Sequence, residues 1–80
     1  MSEIYVQFQK IEDILDFVSA VSKCSHAVDL SSGRFGADGK SLMGVLAIGL
    51  DKPVKVRLQA EDEQLLGQQL KRYEVSQYHS

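Results

Sequence analysis

The sequence predicts an α+β domain in which a single antiparallel sheet is covered on one face by helices. Apolar and polar residues alternate in several short segments, which is typical of strands with one buried face. Between them, apolar residues recur at helical spacing, and clusters of glycine, serine and proline mark the junctions. The segment order is β-α-β-β-α-β-α. We therefore expect residues 1–80 to form one open-faced sandwich, a four-stranded antiparallel sheet with three helices on one face.

The first strand and the first helix are separated by a change of period. Ile4, Val6 and Phe8 alternate with polar neighbours, which predicts a strand. From residue 11 the apolar spacing becomes three and four, which predicts a helix over residues 10–22 with an acidic first turn suited to the helix dipole. The residues expected on the buried side of this helix are Ile11, Ile14, Leu15, Val18 and Val21.

The middle of the chain predicts a hairpin and a short helix. Alternation returns over residues 27–30, and Ser31-Ser32-Gly33 is a turn cluster leading to a short strand over residues 34–37. Asp38-Gly39 ends this hairpin. A fourth strand follows Pro53, which suits a strand start because it lacks a backbone donor, and a last helix is predicted over residues 62–75. The residues expected in the core include Val6, Leu15, Val18, Val28, Val56, Leu66 and Leu70.

Composition excludes several classes of function. The net charge of −2 and the pI near 5.5 provide no positive field for nucleic acid or for an anionic membrane surface. Cys24 is the only cysteine, so we expect no intramolecular disulfide and no thiolate metal cluster, which is consistent with a location in the cytoplasm. We also expect no other metal site and no cofactor. No apolar stretch approaches the ~20 residues of a membrane span. We expect a monomer.

The segment from Gly39 to Leu50 is the most informative in the chain. Ser41 is a good N-cap because its hydroxyl can accept a hydrogen bond from a backbone N–H two or three residues later. The helix after it is too short to hide all of its apolar side chains on one face. We therefore expect an exposed apolar surface of the kind that contacts a partner. The apolar residues concerned are Leu42, Met43, Val45 and Leu46.

This segment also carries a family resemblance. Lys40 to Leu46, followed by Gly49-Leu50, resembles the region around the regulatory serine of HPr, the histidine-containing phosphocarrier protein of the bacterial sugar phosphotransferase system. The resemblance spans residues 4–75 and implies the HPr-like fold. Other segments at the family's intervals are Phe17-Val18, Ser22-Lys23, Val28-Asp29-Leu30, Val54-Lys55-Val56 and Glu61-Asp62-Glu63.

The carrier motif of that family is replaced in this sequence. HPr-type carriers hold the phosphorylated histidine in a Gly-Leu-His-x-Arg-Pro motif, and counting back from Phe17-Val18 puts Lys10 at the histidine and Glu12 at the arginine. An exposed lysine is protonated and cannot act as the nucleophile. Glu12, Asp13 and Asp16 would repel a phosphoryl dianion. Helix one is then either structural or a surface for a cationic partner.

The resemblance makes Ser41 a candidate for phosphorylation, with Lys40, Leu42, Met43 and Leu46 as candidates for partner binding. The family's partners at this helix are an HPr kinase and a transcription regulator. Methionine suits a surface that adapts to several partners. The alternatives are that Ser41 is only a helix cap and that the leucines belong to the core.

The remaining candidates carry weaker signals. His26 and His79 are the only histidines and are interpreted as surface residues. Cys24 and His26 supply two metal ligands where a closed zinc site needs four. Arg34, Lys55 and Arg57 are interpreted as part of a solvated sheet face.

Three functional hypotheses follow from the sequence. The first is a non-catalytic HPr-like adaptor that binds partners through the Ser41 helix and is switched by phosphorylation. The second is a phosphoryl carrier that uses another nucleophile. The third is an HPr-fold protein with an unrelated ligand.

Overall fold

The computed structural model describes residues 1–75 and contains the predicted order of elements. The four strands and three helices lie within one or two residues of the predicted bounds, except at the last helix. The elements are β1 (Ser2–Gln7), α1 (Ile11–Val21), β2 (Asp29–Ser32), β3 (Phe35–Asp38), α2 (Leu42–Ile48), β4 (Pro53–Leu58) and α3 (Ala60–Lys71). No helix within this part of the chain is long and apolar enough to cross a membrane.

The four strands form one antiparallel sheet in the order β1-β4-β2-β3. The register forms a row of paired residues across the sheet. In this row, Ile4 pairs with Val56, Val56 with Leu30, and Leu30 with Ala37. β4 is the last strand in the sequence but lies in the interior of the sheet, between β1 and β2. This agrees with its alternation, because Val54, Val56 and Leu58 are all fully buried.

The two faces of the sheet differ as predicted. The side chains of one face enter a single hydrophobic core with the helices. On the other face of β4, Lys55 is half-buried and Arg57 is exposed, with its Nε 3.4 Å from the Glu3 carboxylate. An exposed pair of this kind contributes little to stability. The open-faced sandwich is confirmed.

Aromatic packing joins the residue after β1 to α1 and to the segment that follows α3. The ring of Phe8 meets Phe17 of α1 edge-on with 5.2 Å between centroids, and meets Tyr73 at 5.8 Å. Phe8 and Phe17 are fully buried. Edge-to-face contacts of this geometry add to the free energy gained from burial alone.

The predicted burial of Leu15 is wrong. Its side chain is 46% exposed, and Ile11 is also exposed, whereas Ile14, Phe17 and Val21 are buried and Val18 lies at the margin of the core. The buried stripe follows the spacing i, i+3, i+7 from Ile14. Leu15 is rotated about 100° from Ile14 around the helix, which moves it past the edge of that stripe.

The last helix begins and ends earlier than predicted. Its residues are Ala60–Lys71, and the chain then turns back toward the free edge of β1. There Gln7 N–H donates to Tyr73 O and Val75 N–H donates to Tyr5 O, both at 2.8 Å. An edge strand has unpaired backbone groups, and these hydrogen bonds to β1 replace a further turn of helix.

A buried leucine and an exposed one adjoin in α3 and give a direct test of the core. Leu66 is 1% exposed, while Leu65 is 65% exposed. We expect Leu66→Ala to lower the free energy of unfolding by about 2–4 kcal/mol, because it leaves a cavity in a small core. Leu65→Ala should change it by less than about 0.5 kcal/mol. Urea unfolding followed by circular dichroism measures both, and equal losses would contradict the described packing.

Candidate functional site: a serine-capped helix with an exposed apolar face

Ser41 caps α2 as the sequence predicts. Its backbone is extended, with φ −100° and ψ 109°, and its Oγ accepts a hydrogen bond from Gly44 N–H at 3.2 Å. Its carbonyl accepts from Val45 N–H at 3.0 Å and so begins the helical hydrogen bonding. Ser41 is nevertheless exposed. The hydroxyl thus combines a local structural role with access from solvent.

The turn before Ser41 is held by Asp38. Its carboxylate accepts from Lys40 N–H and its carbonyl accepts from Ser41 N–H, each at 2.9 Å. One turn into the helix, a Cβ on Gly44 would lie 3.2 Å from the Cβ of Ala37 in β3. The missing side chain lets α2 pack closely on the sheet. The position of Ser41 is therefore set by β3.

Only one side of α2 enters the core. Val45 and Ile48 are buried, whereas Leu42 and Leu46 are each 37% exposed and Met43 is 80% exposed. We name the surface formed by Leu42, Met43 and Leu46 the α2 apolar face. The two leucines divide their area between core and solvent, and Met43 contributes almost all of its side chain to the surface. Partner binding by this face stays a prediction.

Two further apolar side chains are exposed on the neighbouring helix. Ile11 and Leu15 of α1 are each close to half exposed, and α1 packs against α2. The sequence analysis placed both residues on the buried side of α1 and therefore did not predict this exposure. It increases the apolar area that the helical side of the molecule presents to solvent.

Lys40 has a defined contact within the fold. Its Nζ donates to the carbonyl of Cys24 at 2.8 Å, and its side chain is half-buried. The ammonium thereby links the entry of α2 to the loop that follows α1. The predicted role of Lys40 in partner binding is not tested by this contact.

At the start of α1, the Asp13 carboxylate accepts a hydrogen bond from the backbone ahead of the helix. Lys10 precedes the helix in an extended conformation and makes no side-chain cap. Instead Asp13 reaches back, and its Oδ2 accepts from Gln9 N–H at 3.0 Å. Sequence reasoning treated Asp13 only as part of an acidic first turn. Its return hydrogen bond uses a backbone donor that lies just ahead of the helix.

An open cleft of about 350 Å³ lies beside this helix start, between α1 and the residues after α3. Its charged lining residues are four acids and two bases, Glu12, Asp13, Asp16 and Glu74 with Lys10 and Arg72. The cleft therefore has an excess of negative charge. Tyr73 also lines the cleft, and burial raises the pKa of its phenol. The Arg72 guanidinium opposes that shift, and Asp16 adds to it.

A histidine–carboxylate pair was missed by sequence reasoning. Asp62 lies in the first turn of α3, is 4% exposed, and is the only charged residue classed as buried within residues 1–75. His26 Nδ1 lies 3.2 Å from its Oδ2. Asp62 stands between two other acids in the sequence, which is the pattern of a solvated helix start, and 36 positions separate it from His26. No local spacing indicates this pair.

The Cys24 thiol lies close to this pair and to Lys40. Its pKa is raised, chiefly by burial and then by the Asp62 carboxylate, while the Lys40 ammonium lowers it. Over residues 1–75, no group of three or more histidine, cysteine, aspartate or glutamate side chains is arranged to hold a metal ion. His79 lies outside the described residues.

The sheet order, the three helices on one face and the serine-capped α2 define an open-faced sandwich of the phosphocarrier type. The family described as "PTS HPr component phosphorylation site" matches residues 14–72, and the chain belongs to this family, PTS-HPr. A search of curated proteins and a search of solved structures each gave no match. The matched region begins after Lys10 and Glu12, so their assignment to the carrier motif stays a prediction.

The cap at Ser41 can be tested by stability alone. We expect Ser41→Ala to lower the free energy of unfolding by about 0.5–2 kcal/mol, because Gly44 N–H loses its acceptor. Ser41→Asp, which retains an acceptor, should recover most of the loss. The control is Ser19→Ala, an exposed position in the middle of α1. If Ser41→Ala and Ser19→Ala give the same urea midpoint, the cap contributes nothing.

Proposed function

We propose that the protein is a non-catalytic HPr-like adaptor of the phosphotransferase system type. It binds protein partners through the α2 apolar face and is switched by phosphorylation of Ser41. The observation that supports this most strongly is the exposure of Met43 beside an exposed capping serine, in a chain that belongs to the PTS-HPr family. The proposed partners are an HPr kinase and a transcription regulator.

The α2 apolar face has the properties of a docking element. Its backbone is fixed by the Ser41 cap and by the close packing of Gly44 on Ala37, so little conformational entropy is lost when a partner binds. Met43 has a flexible, polarizable side chain that fits pockets of different shape. Val45 and Ile48 anchor the opposite side of the helix in the core. A substitution at Met43 can therefore alter the surface without altering the fold.

Ser41 is placed where added charge would affect this face. A phosphate on its hydroxyl adds roughly −1.5 to −2 charge at neutral pH. Leu42 and Met43 follow directly in the chain and are exposed. A partner pocket that covers them would also contact the phosphate. A partner with a cation at that point gains affinity on phosphorylation, and a partner with an acidic or apolar rim loses it.

The start of α1 is unsuited to phosphoryl transfer. Lys10 offers an ammonium where the family motif has an imidazole, and Asp13 already accepts from Gln9 N–H. The adjoining cleft has an excess of carboxylates. An incoming phosphoryl dianion would meet repulsion in place of the donors that such a transfer requires. The proposed role is therefore binding and not phosphoryl transfer at this position.

The switch and the docking face can be tested together. HPr kinase with ATP should place an acid-stable label on Ser41, and Ser41→Ala should abolish it while Ser19→Ala leaves it intact. Met43→Asp should weaken binding of an HPr-directed transcription regulator about tenfold or more, because it puts a charge into an apolar contact. The matched control is Leu65→Asp, which introduces the same charge at an exposed leucine of α3.

Calorimetric titration of the regulator against each variant gives the affinities. Two results would refute the proposal. One is unchanged affinity for Met43→Asp with every HPr-directed partner. The other is a kinase that ignores Ser41 in the folded protein. Either would leave the HPr-fold protein with an unrelated ligand as the better hypothesis.

The start of α1 has its own test. With phosphoenolpyruvate and the general phosphotransferase enzyme, we expect no label within residues 8–16, and Lys10→His alone should not produce efficient transfer. A variant that combines Lys10→His with Glu12→Arg and Asp13→Asn removes the repelling carboxylates and should be labelled faster than the single variant. Peptide mass spectrometry locates the label. Rapid transfer to Lys10→His alone would show that the carboxylates are no obstacle.

A further inference from the structure

The two edges of the sheet differ in how they are covered. At the β1 edge, Gln7 N–H donates to Tyr73 O and Val75 N–H donates to Tyr5 O, so the chain itself pairs with that strand. At the other edge, β3 pairs with β2 alone, and within residues 1–75 no strand lies on its outer side. An uncovered edge presents backbone donors and acceptors to which another strand can be added.

The register of the hairpin shows which backbone groups point outward from β3. Antiparallel pairs alternate between those that exchange hydrogen bonds and those that do not. Gly39 N–H donates to Val28 O, so Gly39, Ala37 and Phe35 turn their backbone groups toward β2. Gly36 and Asp38 consequently turn theirs away from β2. Gly36 lies near the middle of the strand and presents both its N–H and its C=O at the edge.

We propose that β3 is a self-association surface, on which β3 of a second copy of this chain pairs in antiparallel orientation about a two-fold axis at Gly36. In this register Gly36 lies opposite Gly36, Phe35 opposite Ala37, and Arg34 opposite Asp38 of the second copy. The two sheets become one continuous sheet, with both helical layers on the same side. The inference goes beyond the adaptor role, does not rest on it, and replaces the expectation of a monomer.

The charges on the open face of the sheet favour this register. Glu3 pairs with Arg57, and Arg57 pairs with Asp29, so the row alternates in sign up to β2. Asp29 then pairs with Asp38, and two like charges directly opposite each other are destabilising. Arg34 and Asp38 are exposed, and neither belongs to an ion pair within residues 1–75. Arg34 of the second copy would extend the row and place a cation beside the two acids.

The apolar residues on the helical side of the sheet fit the same register. Phe35 is 68% exposed, although it lies in a strand. Ala37 is half-buried and packs against the core, and it ends the row that contains Leu30. The phenyl ring of the second copy would continue this row and cover the small side chain of Ala37. The two-fold axis repeats the contact, as a self-complementary interface requires.

Other registers lose this complementarity. A shift of one residue places the apolar side of one strand beside the polar side of the other. The next register in one direction puts Arg34 opposite Lys40 of the second copy, which is a contact between like charges. In the other direction Asp38 lies opposite Ser32, which belongs to β2. The proposed register is therefore the one that matches both faces of β3.

Self-association is measured by sedimentation velocity on the full chain, without any other protein. A strand of four residues buries less area than a standard interface, so we expect a dissociation constant on the order of 10–100 µM. The mean sedimentation coefficient should rise from the monomer value to the dimer value across this range. A chain that stays monomeric at ten times the upper concentration overturns the proposal and leaves the edge to an extended segment of another protein.

Two pairs of variants locate the interface. Arg34→Glu puts an acid opposite Asp38 and should weaken the dimer about tenfold or more. Its control is Lys71→Glu, the same change of charge at an exposed residue beside the β1 edge. Phe35→Ala should also weaken the dimer about tenfold. Its control is Leu65→Ala, at an equally exposed residue of α3.

The four altered side chains are all exposed, so the urea midpoints should change little and loss of the fold cannot account for loss of the dimer. Both controls should retain the dissociation constant of the unaltered chain. If Arg34→Glu and Lys71→Glu weaken self-association equally, the pairing at β3 is refuted.

A cross-link tests the register directly. A Cβ at residue 36 would lie 3.6 Å from Leu30 O, an ordinary contact, so Gly36→Cys should fold. The two introduced thiols would stand on a hydrogen-bonded pair whose Cα atoms are about 5.5 Å apart. A short bismaleimide should then join two copies at position 36. Gly67→Cys in α3 is the control, because a Cβ there meets nothing within 4 Å, and the buried Cys24 is present in both variants.

Equal cross-linking of Gly36→Cys and Gly67→Cys would refute the proposed register. These experiments use neither a kinase nor a regulator, so their failure leaves the tests at Ser41 and Met43 unaffected. Failure of those tests likewise leaves the assignment of β3 unaffected.

Discussion

The position of α2 depends on a close backbone contact between Gly39 and Val28. Gly39 N–H donates to Val28 O at 2.6 Å, and a Cβ at residue 39 would lie 2.9 Å from Cγ1 of Val28. Only glycine permits this approach. The contact joins the end of β3 to the residue before β2, and Lys40 adds a second link to Cys24 in the same loop. The exposed serine and the apolar face that follow are consequently presented by a rigid connection.

The two ends of this loop region relate to different chemistry. Toward α2 the loop supports an exposed hydroxyl and an apolar surface, which are features of protein recognition. Toward α3 it places the His26 imidazole 3.2 Å from the buried Asp62 carboxylate. α1 adds the exposed side chains of Ile11 and Leu15 to the apolar surface, and its first turn holds the hydrogen bond from Gln9 N–H to Asp13. The loop between α1 and β2 thus contacts the entry of α2 through Cys24 and the first turn of α3 through His26.

Local pattern predicted most of the fold and part of the site. The alternation of Val54, Val56 and Leu58 identified a buried strand, and Ser41 was recognised as a cap because capping depends on residues within one turn. The burial of Leu15 was predicted wrongly, since a helix with apolar residues around much of its circumference does not reveal which stripe faces the core. The pairing of His26 with Asp62 was not predictable, because it arises only when the loop packs on α3.

Because Cys24 is buried, the reactivity of its thiol can be used to measure local opening of the structure. A thiol that is buried and has a raised pKa reacts slowly with alkylating reagents, because the reactive species is the thiolate. Modification then requires the loop to open, so the reaction rate in the native protein reports the free energy of that local opening. Since Cys24 is the only cysteine in the sequence, the signal is assigned without engineering. The loop that carries Cys24 and His26 can accordingly be monitored apart from global unfolding.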